Sequence, residues 1–95
     1  MTTTPLTEDV IRALPKVSLH DHLDGGLRPQ TILELAHEQG IELPGGAPMD
    51  DAEALGAWFA AQADSGSLVE YLTTFDVTLS VMQIAAGLER IAREF

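Results

Sequence analysis

The chain has 95 residues, 15 of them acidic and 5 basic, with a formal net charge of −10 and no cysteine. That length allows one small domain and falls well short of the roughly 200 residues that a (β/α)₈ barrel needs. The charge excludes nucleic acid as a partner, because phosphate backbones are bound by Lys and Arg that displace counterions, and the missing thiols exclude disulfides, thiolate zinc sites and cysteine nucleophiles.

Met1–Pro5 has neither a basic nor an apolar region of the kind a secretory leader carries, so a cytoplasmic location is expected. Thr7 is placed to cap a short helix, with Glu8 and Asp9 in its first turn, where carboxylates favour the helix dipole, and Pro15 after it as a stop. Residues 16–24 read as the one strand of the chain. Val17, Leu19, Asp21 and Leu23 share one parity; Ser18, His20, His22 and Asp24 share the other, so four polar side chains would face one way. Gly25 and Gly26 end it at a sharp turn.

Pro29 suits the first turn of a second helix, in which Ile32, Leu35 and Ala36 form an apolar stripe that Gly40 closes. Pro44, Gly45, Gly46 and Pro48 then mark a loop. Residues from about 50 to 95 read as a helical region. Asp50 with Glu53, and Ser67 with Glu70, have capping-box spacing. Trp58 and Phe59 read as packing residues; Leu68, Tyr71, Leu72, Phe75, Leu79 and Met82 run along a long helix, with Tyr71, Phe75, Leu79 and Met82 as core packing or a lid over an active site. Leu88, Ile91, Ala92 and Phe95 mark the last helix, whose start is uncertain because Gly87 lies within it. No stretch approaches 18 apolar residues, so no membrane span is expected. Between Arg28 and Arg90 the chain has ten acidic residues and no Lys or Arg, which anionic membrane surfaces would repel.

The expected architecture is therefore one strand and about five helices. A lone strand cannot satisfy its own backbone donors and acceptors, and the last helix shows no stop signal after Phe95. Both features suit the front part of a longer chain.

His20-Asp21-His22 carries the chemistry. Residues two apart on a strand are about 6.6 Å apart and share a face, so two imidazoles can converge on one divalent ion. The pair alone does not specify a metal, and a catalytic zinc needs at least three protein ligands and an open position. His37, on the second helix, has no evident reason to join them. Polar groups at the C-terminal end of a strand, before a loop, are where barrel enzymes place catalytic residues.

Leu14 to Pro29 resembles the first strand and following loop of the adenosine deaminase family. The family pattern P-K-x-x-L-H-x-H-L-D-G is matched at Pro15, Lys16, Leu19, His20, His22, Leu23, Asp24 and Gly25. The resemblance implies an α/β fold, with this chain as the N-terminal segment of a (β/α)₈ TIM barrel, mostly helical as it stands. It implies a zinc-dependent hydrolase of purine nucleoside metabolism that deaminates adenosine or deoxyadenosine to inosine or deoxyinosine, by zinc-activated water, with release of ammonia. His20 and His22 would ligate one zinc ion; His22 and Asp24 would contact the purine nucleoside, Asp24 through the ribose hydroxyl. The general-acid glutamate and the other zinc ligands are expected beyond Phe95, which leaves the 95 residues inactive alone. Asp21, where an apolar residue is common in such sequences, is a departure, and Arg28 is its candidate partner. Two other readings stay open: a sibling aminohydrolase acting on adenine or an adenosine-like substrate, and a non-catalytic helical remnant. Oligomeric state is open as well.

Overall fold

The computed structural model describes residues 5–95, so the reading of Met1–Thr4 as free of a leader lies outside the described residues. Five α-helices follow one another: α1 (Glu8–Ala13), α2 (Pro29–Gln39), α3 (Ala52–Ala63), α4 (Leu68–Ser80) and α5 (Ala85–Glu94). Two single 3₁₀ turns, Leu23–Gly25 and Pro44–Gly46, interrupt the connections.

Most of the helix ends follow from local chemistry. The Thr7 hydroxyl accepts the Val10 N–H at 3.2 Å and opens α1. The Lys16 ammonium closes it, donating to the carbonyls of Ile11 and Leu14 at 2.6 and 3.0 Å, which otherwise have no partner at a helix C-terminus. Pro29 occupies the first turn of α2, and Gly40 ends that helix in the left-handed region at φ 65°, where only glycine is free of steric cost. Ser67 caps α4 through the Glu70 N–H, as expected. The cap of α3 is Asp51, bonded to the Ala54 N–H at 2.7 Å, and not Asp50. Either aspartate can accept an N–H of the first turn, and Glu53 three residues after Asp50 favoured the wrong one by a single position.

Residues 16–24 form no strand. Among the described residues there is no β-strand at all, and the amides from Val17 to Asp21 have no protein partner. The physical reason is the one the sequence raised: a strand is held by its neighbours, and the described residues contain none. Leu23 to Gly25 turns as a 3₁₀ element instead, which takes Asp24 off the extended run. Gly26 is not needed for a left-handed turn, since its φ is −112°.

The core gathers Ile32, Leu35 and Ala36 of α2, Leu43 and Ala47 of the loop, Leu55 of α3, Val77 and Val81 at the end of α4, and Ile91 of α5. Leu23, Leu27, Trp58, Phe59 and Met82 pack against it. On α4 the buried face is Thr74, Val77 and Thr78, while Leu68, Tyr71, Leu72 and Leu79 are exposed. Of the expected stripe, Phe75 and Met82 are half-buried and the other four face away from the core. Burial of the threonines is possible because each hydroxyl donates within its own helix, Thr74 to the Tyr71 carbonyl and Thr78 to the Phe75 carbonyl. Gly87 opens α5 onto α4: a Cβ there would lie 3.1 Å from the Val81 carbonyl oxygen. No described helix is long and apolar enough to cross a membrane.

Candidate functional site

The motif residues lie where the extended run meets the helical body. His20 and His22 are both exposed, and their ring centroids are 5.0 Å apart at an interplanar angle of 57°. Two imidazoles on one tetrahedral ion, with Zn–N bonds of about 2.0–2.1 Å, require a centroid separation of about 5 Å. The spacing therefore suits a shared ion. Among the described residues neither ring donates to a protein acceptor, and Oδ1 of Asp24 is 3.9 Å from Nδ1 of His22. Among the described residues no group of three or more His, Asp or Glu side chains could hold a metal, so the pair supplies at most half of a coordination shell. His37, exposed in the last turn of α2, does not join it.

Asp21 is oriented by its own neighbourhood. Its Oδ1 accepts the His22 N–H at 2.8 Å, and the Ser18 hydroxyl reaches Oδ2 at 3.5 Å. No ion pair joins it to Arg28 among the described residues. In place of the expected partner, the aspartate accepts from the backbone of the next residue and from the Ser18 hydroxyl.

Asp24 belongs to a different environment from the histidines. Its side chain is 30% exposed against 68% for His22, and it lies at the edge of a cavity of ≈ 380 Å³. Phe59 of α3 and Tyr71, Thr74 and Phe75 of α4 line this cavity, with Leu27 and Pro29 leading into α2. Tyr71 and Phe75 meet edge to face at 5.9 Å. The cavity has the size of a small-molecule pocket and is mostly apolar, with Asp24 as the carboxylate of its lining. The sequence reading left Tyr71 and Phe75 as core packing or a lid over an active site and gave Phe59 to packing, without placing Asp24 among them. Phe59, Tyr71 and Phe75 had the spacing of packing residues, and only the placement of the 3₁₀ turn against α4 makes them walls around Asp24. The exposed Tyr71 and Leu72 faces could not be told from a buried stripe by periodicity.

A second set of charges joins α2 to α5. The Arg90 guanidinium donates to Glu34 at 2.8 Å and to Glu94 at 2.9 Å, and the Thr31 hydroxyl donates to the other oxygen of Glu94. The Arg90 and Gln30 hydrogen bonds hold the Glu34 carboxyl below its ordinary value, and those from Thr31 and then Arg90 do the same for Glu94. Both carboxylates in turn push the Arg90 guanidinium upward.

The family model for adenosine deaminase matches residues 15–95. The chain belongs to the adenosine deaminase family. It is 55% identical over 92 residues to an adenosine deaminase of Mycolicibacterium vanbaalenii, a match covering 97% of this chain and 25% of the relative. It is 58% identical over 86 residues to adenosine deaminase 1 of Streptomyces coelicolor, covering 90% of this chain and 21% of the relative. An adenosine deaminase of Mycobacteroides abscessus is 55% identical over 84 residues, 88% of this chain and 22% of its own. The chain thus spans about a quarter of the length of the curated relatives it matches. No solved structure matches it. Adenosine deaminases are metal-dependent hydrolases built on a TIM barrel; the described residues of this chain are helices and loops.

Proposed function

We propose that this chain is the N-terminal portion of a zinc-dependent adenosine deaminase that acts in cytoplasmic purine nucleoside metabolism. Residues 16–24 are its first barrel strand once neighbouring strands are present, and the helices from about 50 to 95 flank the substrate pocket. The observation that carries this reading is a juxtaposition. Within the family-matched span, two side-by-side imidazoles lie immediately before a carboxylate at the mouth of an apolar cavity.

His20 and His22 hold one zinc ion in this reading, with the remaining ligands supplied by chain beyond Phe95. When bound, zinc supplies a water acidic enough to attack at neutral pH. His22 also bounds the nucleoside. The Asp24 carboxylate accepts a hydrogen bond from a ribose hydroxyl, a charge-assisted contact of the stronger kind. Phe59, Tyr71 and Phe75 exclude water from the apolar part of the ligand. No residue of this chain is assigned the general-acid role.

The test is a graft in which this chain replaces the matching 92 residues of the Mycolicibacterium vanbaalenii enzyme. The graft is expected to convert adenosine to inosine and to carry one zinc per chain. His20→Ala is expected to remove both the metal and the activity. A folded, zinc-loaded graft that deaminates adenine but not adenosine, or that turns over neither, would overturn the reading.

A further inference from the structure

The turn that carries Asp24 is held from two sides by helices far along the chain. A Cβ built on Gly25 would lie 3.8 Å from Cε1 of Phe75 on α4. A Cβ on Gly26 would lie 2.6 Å from Cε2 of Phe95, immediately after α5. Each glycine of the turn therefore lies against one ring, and at Gly26 only a residue without a Cβ leaves the Phe95 ring in place.

The same end of α5 grips the start of α2. Thr31, buried in the first turn of α2, donates its hydroxyl to one oxygen of Glu94, and Arg90 occupies the other oxygen while reaching Glu34. The Arg28 guanidinium adds to the field that keeps the Glu94 carboxyl ionised. Gly26 and Thr31 bracket a short link, and both ends of that link are pinned by consecutive residues, Phe95 and Glu94. Thr31, Arg90 and Glu94 stand outside the cavity that Asp24 borders, so any influence they have on a ligand passes through the backbone.

We propose that Glu94 is a positioning residue for Asp24. By bonding Thr31 and Arg90 it fixes the start of α2, and with Phe95 it fixes the Gly25–Gly26 turn, which sets where the Asp24 carboxylate meets a nucleoside. The inference rests on the reading of Asp24 as a sugar contact. Its force comes from geometry: a misplacement of about 1 Å at a positioned group can cost as much as 10²-fold.

A double-mutant cycle in the graft tests it, read in KM, kcat and zinc content. Asp24→Ala is expected to raise KM for adenosine by tenfold or more, as loss of a hydrogen bond to a charged group predicts at about 1.5–3 kcal/mol. Glu94→Ala is expected to raise KM by about fivefold with kcat and zinc content unchanged, the signature of lost binding in ground and transition state alike. Glu94→Gln keeps an acceptor for Thr31 and is expected to recover most of the loss. In the Asp24→Ala background, Glu94→Ala is expected to add nothing. An equal rise in KM in both backgrounds, or a fall in kcat and zinc without a change in KM, would overturn the inference while leaving Asp24 as the sugar contact. An unchanged KM in Asp24→Ala alone would instead overturn the role of Asp24, and this inference with it. Should Glu94→Ala fail to fold, Thr31→Val removes the donor at constant shape and enters the same cycle with the same expected and overturning results.

Discussion

His20, His22 and Asp24 are three residues of one short segment, yet they meet different surroundings. The imidazoles are solvated and close to one another, whereas the carboxylate is drawn toward an apolar cavity by the 3₁₀ turn. Substitutions should separate along that line. In the graft, His22→Ala should lose metal and turnover together, checked by zinc analysis and an inosine assay, while Asp24→Ala should keep its metal. The carboxylates of the α2–α5 network give a second residue-scale expectation. Glu34 and Glu94 titrate below their ordinary value of 4.5 in the folded chain. The stability they contribute is therefore present above that value and is lost as pH falls through the lowered ones. Urea unfolding of the 95-residue chain should show Arg90→Met less stable than the parent at pH 7, with the gap closing toward pH 3. A gap that stays constant across that range would mean the ion pairs do not contribute. Both carboxylates are partly exposed, so the effect should also shrink with added salt.

At the scale of elements, the caps offer a sharp discrimination between neighbours. Asp51→Ala removes the acceptor of the Ala54 N–H and should destabilise the chain by about 1 kcal/mol. Asp50→Ala, one residue earlier and exposed, should change stability by less than about 0.5 kcal/mol; equal losses for the two would place the cap elsewhere. That register is a fair measure of what the sequence discloses. Helix termini were legible wherever one residue type has a single physical role, as with Thr7, Pro29, Gly40 and Ser67. The motif His20-x-His22-x-Asp24 was legible because its letters are specific. The strand was legible as a pattern, but its formation depends on partners, and alternation says nothing of whether they are present. The face of α4 was misjudged for a related reason: periodicity finds the largest apolar residues, while burial here goes to Thr74, Val77 and Thr78, which have a surface of this chain to pack on. Gly26 was read through its torsional freedom, whereas its φ of −112° needs none and its missing Cβ instead lets the Phe95 ring lie close.

The molecule as a whole has a body and an arm. Its radius of gyration is 16.6 Å, against about 12 Å for a compact domain of this length, and the residues from 11 to 22 are all exposed. Val17 and Leu19 are 82% and 94% accessible, and Leu68, Val69 and Leu72 show on α4. Such surface predicts that the purified 95-residue chain self-associates at micromolar concentration, measurable by light scattering, and that it does not turn over adenosine. Within the body, Ile32 is fully buried; Ile32→Ala should cost about 2–5 kcal/mol, enough to unfold a chain this small as judged by circular dichroism. The arm has one more consequence. Its amides from Val17 to Asp21 are bonded to no acceptor among the described residues, so in deuterated water they should exchange at the rate of free chain, while those of α2 around Leu35 are slowed. Enclosure of this run between neighbouring strands would reverse that order. Deuterium uptake at Leu19 is therefore a clock for barrel closure, readable one peptide at a time in any longer protein that carries this segment.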